Sequence, residues 1–260
     1  MNAVLECTGV TRRFGQLAAV DDVHLRIQRG ARHALIGPNG AGKSTFFNLL
    51  SGVLRPTSGR IVLNGEDVTR RSDAWRSRHG LAKTFQHSSL FLTQSAADNV
   101  AMAAQRASGA GMRVRTPATR CAGVPEVVED CLARTGLSSR AASRVSELSH
   151  GERRQLEVAV ALATSPTLLL LDEPTAGMSA AESDSFGDLV ESLPRDITVL
   201  IIEHDLDVVF RLADRISVLH LGRLLADGAP GEIRNDERVQ TAYLGTARSE
   251  ELFFSDGGVR

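Results

Sequence analysis

Glycines, a lysine and hydroxyl side chains are spaced within one short stretch in a way that suits the binding of a phosphate. Residues 37–45 (GPNGAGKST) fit the pattern G-x-x-x-x-G-K-[ST] of a phosphate-binding P-loop. Glycines let the backbone wrap an anion without Cβ clashes, and successive N–H groups then point at it. Lys43 is expected to reach the β- and γ-phosphates of a nucleotide, and Ser44 to ligate Mg²⁺. The predicted loop consists of Gly37, Pro38, Asn39, Gly40, Ala41, Gly42, Lys43, Ser44 and Thr45.

The residues around this loop predict the strand and the helix that the pattern requires. Residues 34–36 are apolar and predict the end of a buried strand, and residues 46–50 predict a helix that stops near Gly52. A glycine-rich turn without a ligand is the alternative interpretation. The complete motif in this context favours a nucleotide.

Two adjacent carboxylates follow an apolar run further along the chain. Residues 168–171 are all leucine, which is typical of a strand buried on both faces, and Asp172 and Glu173 come next. Ligands bind at this end of the strands in parallel α/β sheets. Beside a P-loop, Asp172 is expected to complete the Mg²⁺ shell, and Glu173 to orient and polarise the attacking water. The alternative is a strand that ends in a solvated acidic turn.

Composition and charge restrict the class of protein. The chain has 260 residues, 42% of them hydrophobic, and a net charge of −1, so no strong field favours nucleic acid. No apolar run approaches the roughly 18 residues that span a bilayer, and the first residues lack the features of a signal peptide. We therefore expect a cytosolic protein that can sit against a membrane protein. The spacing of the three cysteines, Cys7, Cys121 and Cys131, does not match a metal site. Of the basic residues, only Lys43 and Lys83 are lysine.

The order of predicted elements indicates an α/β fold. The first part of the chain is rich in alternating, strand-like residues, and alanine-rich helical segments dominate residues 95–164, with a loop predicted at 108–125. Strands and helices then alternate from residue 167 onward, which implies a parallel sheet.

Further motifs lie around these two in a fixed order. Residues 148–152 (LSHGE) lie between them, and we predict a helix from Glu152 to Ala163. Gln86 ends a predicted strand, His204 follows an apolar strand, and Phe14 lies upstream of the P-loop. The chain resembles the ATP-binding cassette (ABC) ATPases in all of these motifs and in their order. The first of them resembles the family's signature motif, usually written LSGGQ.

The resemblance implies a fold and a domain organisation. The family has a P-loop NTPase fold, with a RecA-like parallel sheet core, an N-terminal antiparallel β subdomain and an inserted helical subdomain. We expect one nucleotide-binding domain over residues 4–245, with the helical subdomain at about 95–164. Residues 246–260 are expected to form a loosely held tail.

The resemblance also implies roles for residues outside the P-loop. Ser149 and Gly151 would contact the γ-phosphate of ATP held by a second subunit, so that two ATPase domains pair head to tail. His204 would sense the γ-phosphate, and Gln86 would contact Mg²⁺ or the attacking water and report to a transmembrane partner. Phe14 would stack on adenine. A core role for Phe14, a structural role for His204, an ordinary loop position for Gln86 and a simple helix cap at Ser149 remain alternatives.

Three positions depart from the family pattern. His150 replaces a glycine of the signature, and Glu152 replaces its glutamine. Ser179 stands where many ABC proteins have an aspartate, in the loop that joins the two active sites.

Residues 81–86, 168–178, 202–205 and 239–245 resemble the ATPase subunits of branched-chain amino acid importers, whose close relatives carry urea or other small amides. This implies ATP and Mg²⁺ as cofactors, and two permease subunits and a second ATPase as partners. It further implies an extracytoplasmic solute-binding protein as an indirect partner, and a peripheral location on the cytoplasmic face of the membrane. Lipopolysaccharide-export ATPases and soluble non-transport ABC ATPases are the alternatives. A GTPase or kinase lacks support, because no N-K-x-D motif occurs.

Overall fold

Two units make up the part of the chain that the computed structural model describes, which is residues 3–84, 90–108 and 122–243. The first unit contains the described residues up to 76 and from 198 onward, and the second contains those from 77 to 197. The first unit is therefore built from both ends of the chain.

Strands and helices are numbered in chain order. The strands are β1 (Ala3–Phe14), β2 (Leu17–Gln28), β3 (Arg32–Ile36), β4 (Ser58–Leu63), β5 (Glu66–Asp67), β6 (Leu81–Lys83), β7 (Leu168–Asp172), β8 (Thr198–Ile202), β9 (Arg215–His220) and β10 (Arg223–Gly228). The helices are α1 (Lys43–Ser51), α2 (Asp73–Arg78), α3 (Ala96–Ala107), α4 (Val124–Arg134), α5 (His150–Leu162), α6 (Ala180–Ser192), α7 (Leu206–Leu212), α8 (Pro230–Arg234) and α9 (Glu237–Tyr243).

The first unit contains an antiparallel group of strands and a mainly parallel group. The antiparallel strands have the order β2-β1-β4-β5. In the other group, β3 pairs in parallel with both β8 and β9, and β10 pairs antiparallel with β9. The last residues of β3 pair with Ile202 of β8 and Val218 of β9, so these three strands end at one edge. The P-loop follows β3 and so lies at that edge.

The C-terminal helices belong to the core of the first unit. Helices α8 and α9 bury Ile233, Val239 and Tyr243 in one hydrophobic cluster with Ile36 at the end of β3. We did not predict these short helices from the sequence. Both helices are short and mostly polar, so their sequences show no clear helical period.

The second unit contains a parallel strand pair and the helices α3 to α6. Strand β6 pairs with β7 in register, with Leu81 opposite Leu168, and every residue of β7 is buried. Helix α5 begins at His150, two residues before the predicted start at Glu152. The predicted start was wrong because Ser149 and Glu152 form a capping box, which places both within the helix terminus.

Several local predictions can be compared with the structure. The P-loop helix stops at Gly52, as predicted, with that glycine in a left-handed conformation. The sequence of residues 14–16 predicts a turn, but Phe14 is the last residue of β1. Helix α4 begins at Val124, inside the loop predicted for 108–125, whereas residues 109–121 of that loop and the predicted tail lie outside the described residues.

Cys7 and Cys131 are buried free thiols, and Cys121 lies outside the described residues. Among the residues described, no helix combines the length and the apolar character needed to cross a membrane.

Candidate nucleotide-binding site

The P-loop connects β3 to α1 and is closed by its own lysine. The Lys43 ammonium donates hydrogen bonds to the carbonyl oxygens of Gly37 at 2.6 Å and Pro38 at 3.1 Å. Lys43 is only 7% exposed, although lysine is rarely buried. This arrangement holds a positive charge inside the loop, where a phosphate would need it.

Glycine is required in the loop by the close approach of neighbouring strands. Gly42 has a φ of 101°, and a Cβ there would collide with the carbonyl oxygen of Ala19 in β2. A Cβ at Gly37 would collide with the carbonyl oxygen of Leu219 in β9. Gly222, in the β9–β10 turn, donates its N–H to the carbonyl oxygen of Ala41 at 2.9 Å. The loop is therefore braced from outside by β2, β9 and this turn.

The N-terminus of α1 fits an anion. No side chain caps this helix and its first turn contains no acidic residue, whereas a side-chain oxygen caps each of α3, α5, α6 and α7. The first N–H groups of a helix have no partner within the helix and carry partial positive charge. Ser44 is exposed in this turn and can present its hydroxyl to a metal ion. The residues present therefore suit the phosphates of a nucleotide.

The end of β8 places a buried acid beside an exposed histidine. Glu203 is fully buried, and its carboxylate accepts the N–H of His204 at 2.9 Å and that of Asp205 at 3.3 Å. The His204 side chain is 59% exposed, with its Nδ1 3.6 Å from the Glu203 carboxylate. Glu203 thus fixes the turn that presents His204 at the same strand edge as the P-loop. We did not assign this role to Glu203 from the sequence. The signal that could have revealed it is an acidic residue directly after an apolar strand.

Phe14 lies at the tip of the β1–β2 hairpin, the hairpin whose second strand contacts Gly42. Its side chain is 45% exposed, so it is not a core residue. The guanidinium of Arg12 lies over the ring, 4.6 Å from its centroid. Arg12 occupies one face of the ring, and an aromatic base could stack on the other.

The carboxylates predicted in the second unit lie at the end of β7. Asp172 is the last residue of this strand and is 6% exposed. Glu173 is partly exposed and has a φ of 45°. Left-handed backbone at a residue other than glycine costs about 1–3 kcal/mol and is common at functional sites. This backbone conformation, which the motif alone did not reveal, supports the role predicted for Glu173.

The signature residues form the start of α5. The Ser149 hydroxyl oxygen accepts the N–H of Glu152 at 3.1 Å, and the Glu152 carboxylate accepts the N–H of Ser149 at 2.8 Å. Ser149 therefore caps α5. This does not exclude a ligand, because the cap uses the hydroxyl oxygen as an acceptor and leaves its proton to donate. Glu152 also pairs with Arg140 at 2.7 Å, and these contacts, first of all the Ser149 N–H, lower its pKa.

The signature contacts the loop that follows Glu173 within the same unit. The Nε2 atom of His150 lies 3.2 Å from the carbonyl oxygen of Ala176. The N–H of Gly151 donates to the Glu182 carboxylate at 3.3 Å, and Glu182 also caps α6 through Ser179. His150 and Ser179, two of the departures from the family pattern, thus both belong to this connection.

The predicted site residues fall into two groups. The P-loop, Phe14 and His204 belong to the first unit, and Asp172, Glu173, Ser149 and Gly151 to the second. Gln86 lies outside the described residues. No group of three or more histidine, cysteine or acidic residues that could hold a metal ion occurs in the described ranges.

Comparison with known proteins gives consistent matches. Residues 20–176 match the family described as ABC transporter, and residues 223–248 match the one described as branched-chain amino acid ATP-binding cassette transporter. The chain is 38% identical to BraF, the high-affinity branched-chain amino acid transport ATP-binding protein of Pseudomonas aeruginosa, over 94% of this chain and 98% of BraF. It is 35% identical to LptB, the lipopolysaccharide export system ATP-binding protein of Acidithiobacillus ferridurans, over 94% and 98% of the two chains.

A solved structure of MJ1267, an ATP-binding cassette of an ABC transporter, superposes with a TM-score of 0.82. It shares 27% identity and covers 94% of this chain and 100% of its own. These matches confirm the predicted α/β P-loop NTPase fold.

Proposed function

The chain belongs to the ABC transporter family as an ATP-hydrolysing subunit, and on that premise we propose that it energises the uptake of branched-chain amino acids. The observation that carries the ATPase part is the P-loop, with its buried lysine and its uncapped helix terminus. The cargo is supported by the similarity to BraF over nearly the full length of both chains, and by the match of residues 223–248.

We assign roles in binding the nucleotide and its metal ion to the residues that the motifs single out. Lys43 and the N–H groups at the start of α1 bind the phosphates, and Phe14 stacks on the base. Ser44, Asp172 and Gln86 supply oxygen ligands, which suit Mg²⁺. Bound Mg²⁺ would neutralise charge on the phosphates during hydrolysis. Glu173 orients the attacking water, and His204 contacts the γ-phosphate.

We further propose that two ATPase subunits pair head to tail. In that arrangement, Ser149 and Gly151 of one subunit meet the γ-phosphate bound to the P-loop of the other. The donor set supports this role, because the hydroxyl proton of Ser149 and the first N–H groups of α5 suit an anion. The second subunit is a copy of this chain or a similar ATPase.

The permease partners are expected to dock on the segment that follows Gln86. We predict residues 88–99 as this surface, of which residues 90–99 are described. Phe91 is 59% exposed and Leu92 is 47% exposed, which is unusual for large apolar side chains next to one another and supports an interface. Such a complex would hold the chain on the cytoplasmic face of the membrane, and an extracytoplasmic solute-binding protein would deliver the cargo.

The test is uptake of radiolabelled leucine by the native host after deletion of the gene. Deletion should abolish energised uptake, and the wild-type chain should restore it. Glu173→Gln should fail to restore uptake because the water is no longer activated, while Glu191→Gln, the same change at an exposed site on α6, should restore it. Phe91→Glu should lose uptake but keep ATPase activity in the purified chain.

Normal leucine uptake in the deletion strain would contradict the proposed cargo. Loss of lipopolysaccharide export in that strain would favour an LptB-like function instead. Full restoration by Glu173→Gln would remove Glu173 from the mechanism.

A further inference from the structure

A carboxylate of the same chain already occupies an N–H group of the signature. One oxygen of Glu182 accepts the N–H of Gly151 at 3.3 Å. The other oxygen accepts the N–H of Ser179 at 3.0 Å and its hydroxyl proton at 2.9 Å. Glu182 therefore joins the start of α5 to the start of α6 through a single side chain.

The place that this carboxylate occupies is suited to an anion. Gly151 lies in the first turn of α5, where N–H groups lack partners within the helix. A Cβ at Gly151 would lie 2.9 Å from the nearer Glu182 oxygen, so the glycine makes room for the carboxylate. A cleft of about 260 Å³ opens here, with Ser149, Gly151, Glu182 and Phe186 among its lining residues. A phosphate from outside could therefore approach the same N–H group.

Glu182 is held in its charged form. Its pKa is lowered by the N–H of Ser179 first, then by the Ser179 hydroxyl and the N–H of Gly151. The group at Gly151 is thus an anion at neutral pH.

We propose that Glu182 is a positioning residue that occupies, within its own chain, the place at Gly151 that the γ-phosphate of the partner's ATP must take. This inference rests on the head-to-tail pairing proposed above. Closure of the dimer over ATP then requires the Glu182 carboxylate to release the N–H of Gly151. Glu182 also accepts hydrogen bonds from Ser179, and His150 contacts Ala176 at 3.2 Å. Release of Gly151 by Glu182 therefore acts directly on the loop that follows Glu173. The arrival of ATP at one signature is in this way transmitted to the catalytic loop of the same chain.

A purely structural role for Glu182 predicts the opposite effect on dimerisation. If Glu182 only held the signature in shape for ATP, its replacement would weaken ATP-driven pairing. If Glu182 competes with the γ-phosphate, removal of its charge strengthens that pairing. Glu182→Gln separates the two, because glutamine also forms a capping box and so preserves the start of α6.

The experiment measures ATP-driven dimerisation by size exclusion with light scattering. All variants carry Glu173→Gln to prevent turnover, and ADP binding to each is measured first as a check of folding. Addition of Glu182→Gln should lower the ATP concentration for half-maximal dimerisation by about three- to tenfold, the range for the net contribution of one hydrogen bond. Glu191→Gln on the same helix should leave that concentration unchanged.

Hydrogen exchange of the nucleotide-free chain tests the contact without a dimer. The peptide that contains Gly151 should exchange faster in Glu182→Gln than in the wild type and in Glu191→Gln. Equal exchange, or an equal or higher ATP requirement for dimerisation, would overturn the proposal. If Glu173→Gln itself fails to dimerise with ATP, the pairing of two copies of this chain fails, and the competition at Gly151 fails for that homodimer.

Discussion

At the scale of single residues, the backbone of Glu173 shows what a motif conveys and what it does not. The order of motifs was sufficient to single out this carboxylate. Its φ of 45° was not predictable, because no residue type at that position demands a left-handed conformation. The role of Glu203 was missed for a similar reason, since burial of an acid depends on the backbone N–H groups that receive it.

A second buried group, His33, gives the chain a measurable response to acid. Its Nε2 atom lies 2.7 Å from the hydroxyl of Ser217, which in turn donates to Asp227 at 2.8 Å. Burial lowers the pKa of His33 to about 4, although Asp227 acts in the opposite direction. The network therefore contains a neutral imidazole at pH 7.

The free energy of unfolding should fall as the pH is lowered from 7 to 4. The unfolded chain binds a proton at His33 near its ordinary pKa of about 6.5, whereas the folded chain resists protonation until about pH 4. Stability from this group is complete above pH 6.5, and roughly 3 kcal/mol is lost by pH 4. Urea denaturation at several pH values measures it. His33→Gln should flatten this slope and the exposed His24→Gln should not; equal slopes in all three would contradict the prediction.

At the scale of secondary structure, the P-loop helix is anchored at its far end by a buried arginine. The Arg76 guanidinium donates to the carbonyl oxygens of Leu49 at 2.7 Å, Leu50 at 2.6 Å and Val68 at 2.7 Å. Burial lowers its pKa to about 10, which leaves it charged at neutral pH. Arg76 thus donates to the last carbonyls of α1, whose first turn belongs to the proposed nucleotide site.

Arg76→Met should destabilise the chain by about 3 kcal/mol, because three buried hydrogen bonds to backbone carbonyls are lost at roughly 1 kcal/mol each. Arg76→Lys should lose part of the same stability, since an ammonium cannot replace the forked donors of the guanidinium. Urea denaturation measures both, with Arg78→Met at an exposed position of the same helix as control. A loss no larger than that of Arg78→Met would refute this role.

The sequence predicted elements where pattern and burial agree. The leucine run predicted β7 to within a residue of its bounds, and glycine predicted the end of α1. Helices α8 and α9 were missed because they are short and mostly polar. The contribution of Arg76 was missed because arginine is ordinarily exposed, and only the packing of α2 reveals its burial.

At the scale of the whole molecule, the proposed catalytic residues are divided between two units. The first unit contains the P-loop and His204, and the second contains Asp172, Glu173 and the signature. The sequence could not show this division, since the first unit is assembled from residues at opposite ends of the chain.

A nucleotide bound at the P-loop should stabilise the folded chain. At ADP near 100 times its Kd the gain is about 2.7 kcal/mol, which corresponds to a rise in Tm of roughly 5–10 °C. Lys43→Ala should abolish most of this rise, because the loop loses its charge and the hydrogen bonds to Gly37 and Pro38. Lys83→Ala serves as the matched control and should retain the rise. Differential scanning calorimetry measures the rise in Tm on addition of ADP. An undiminished rise in Lys43→Ala would place the nucleotide elsewhere.

The position of Lys43 also makes the chain suitable for chemical footprinting. The chain has two lysines. Lys43 lies in the P-loop, where backbone carbonyls hold its ammonium, and Lys83 lies in β6. Acylating reagents therefore have few side-chain amines to modify. The extent of acylation at Lys43, read by mass spectrometry against Lys83 as an internal standard, would report P-loop occupancy directly, even in a crude membrane fraction.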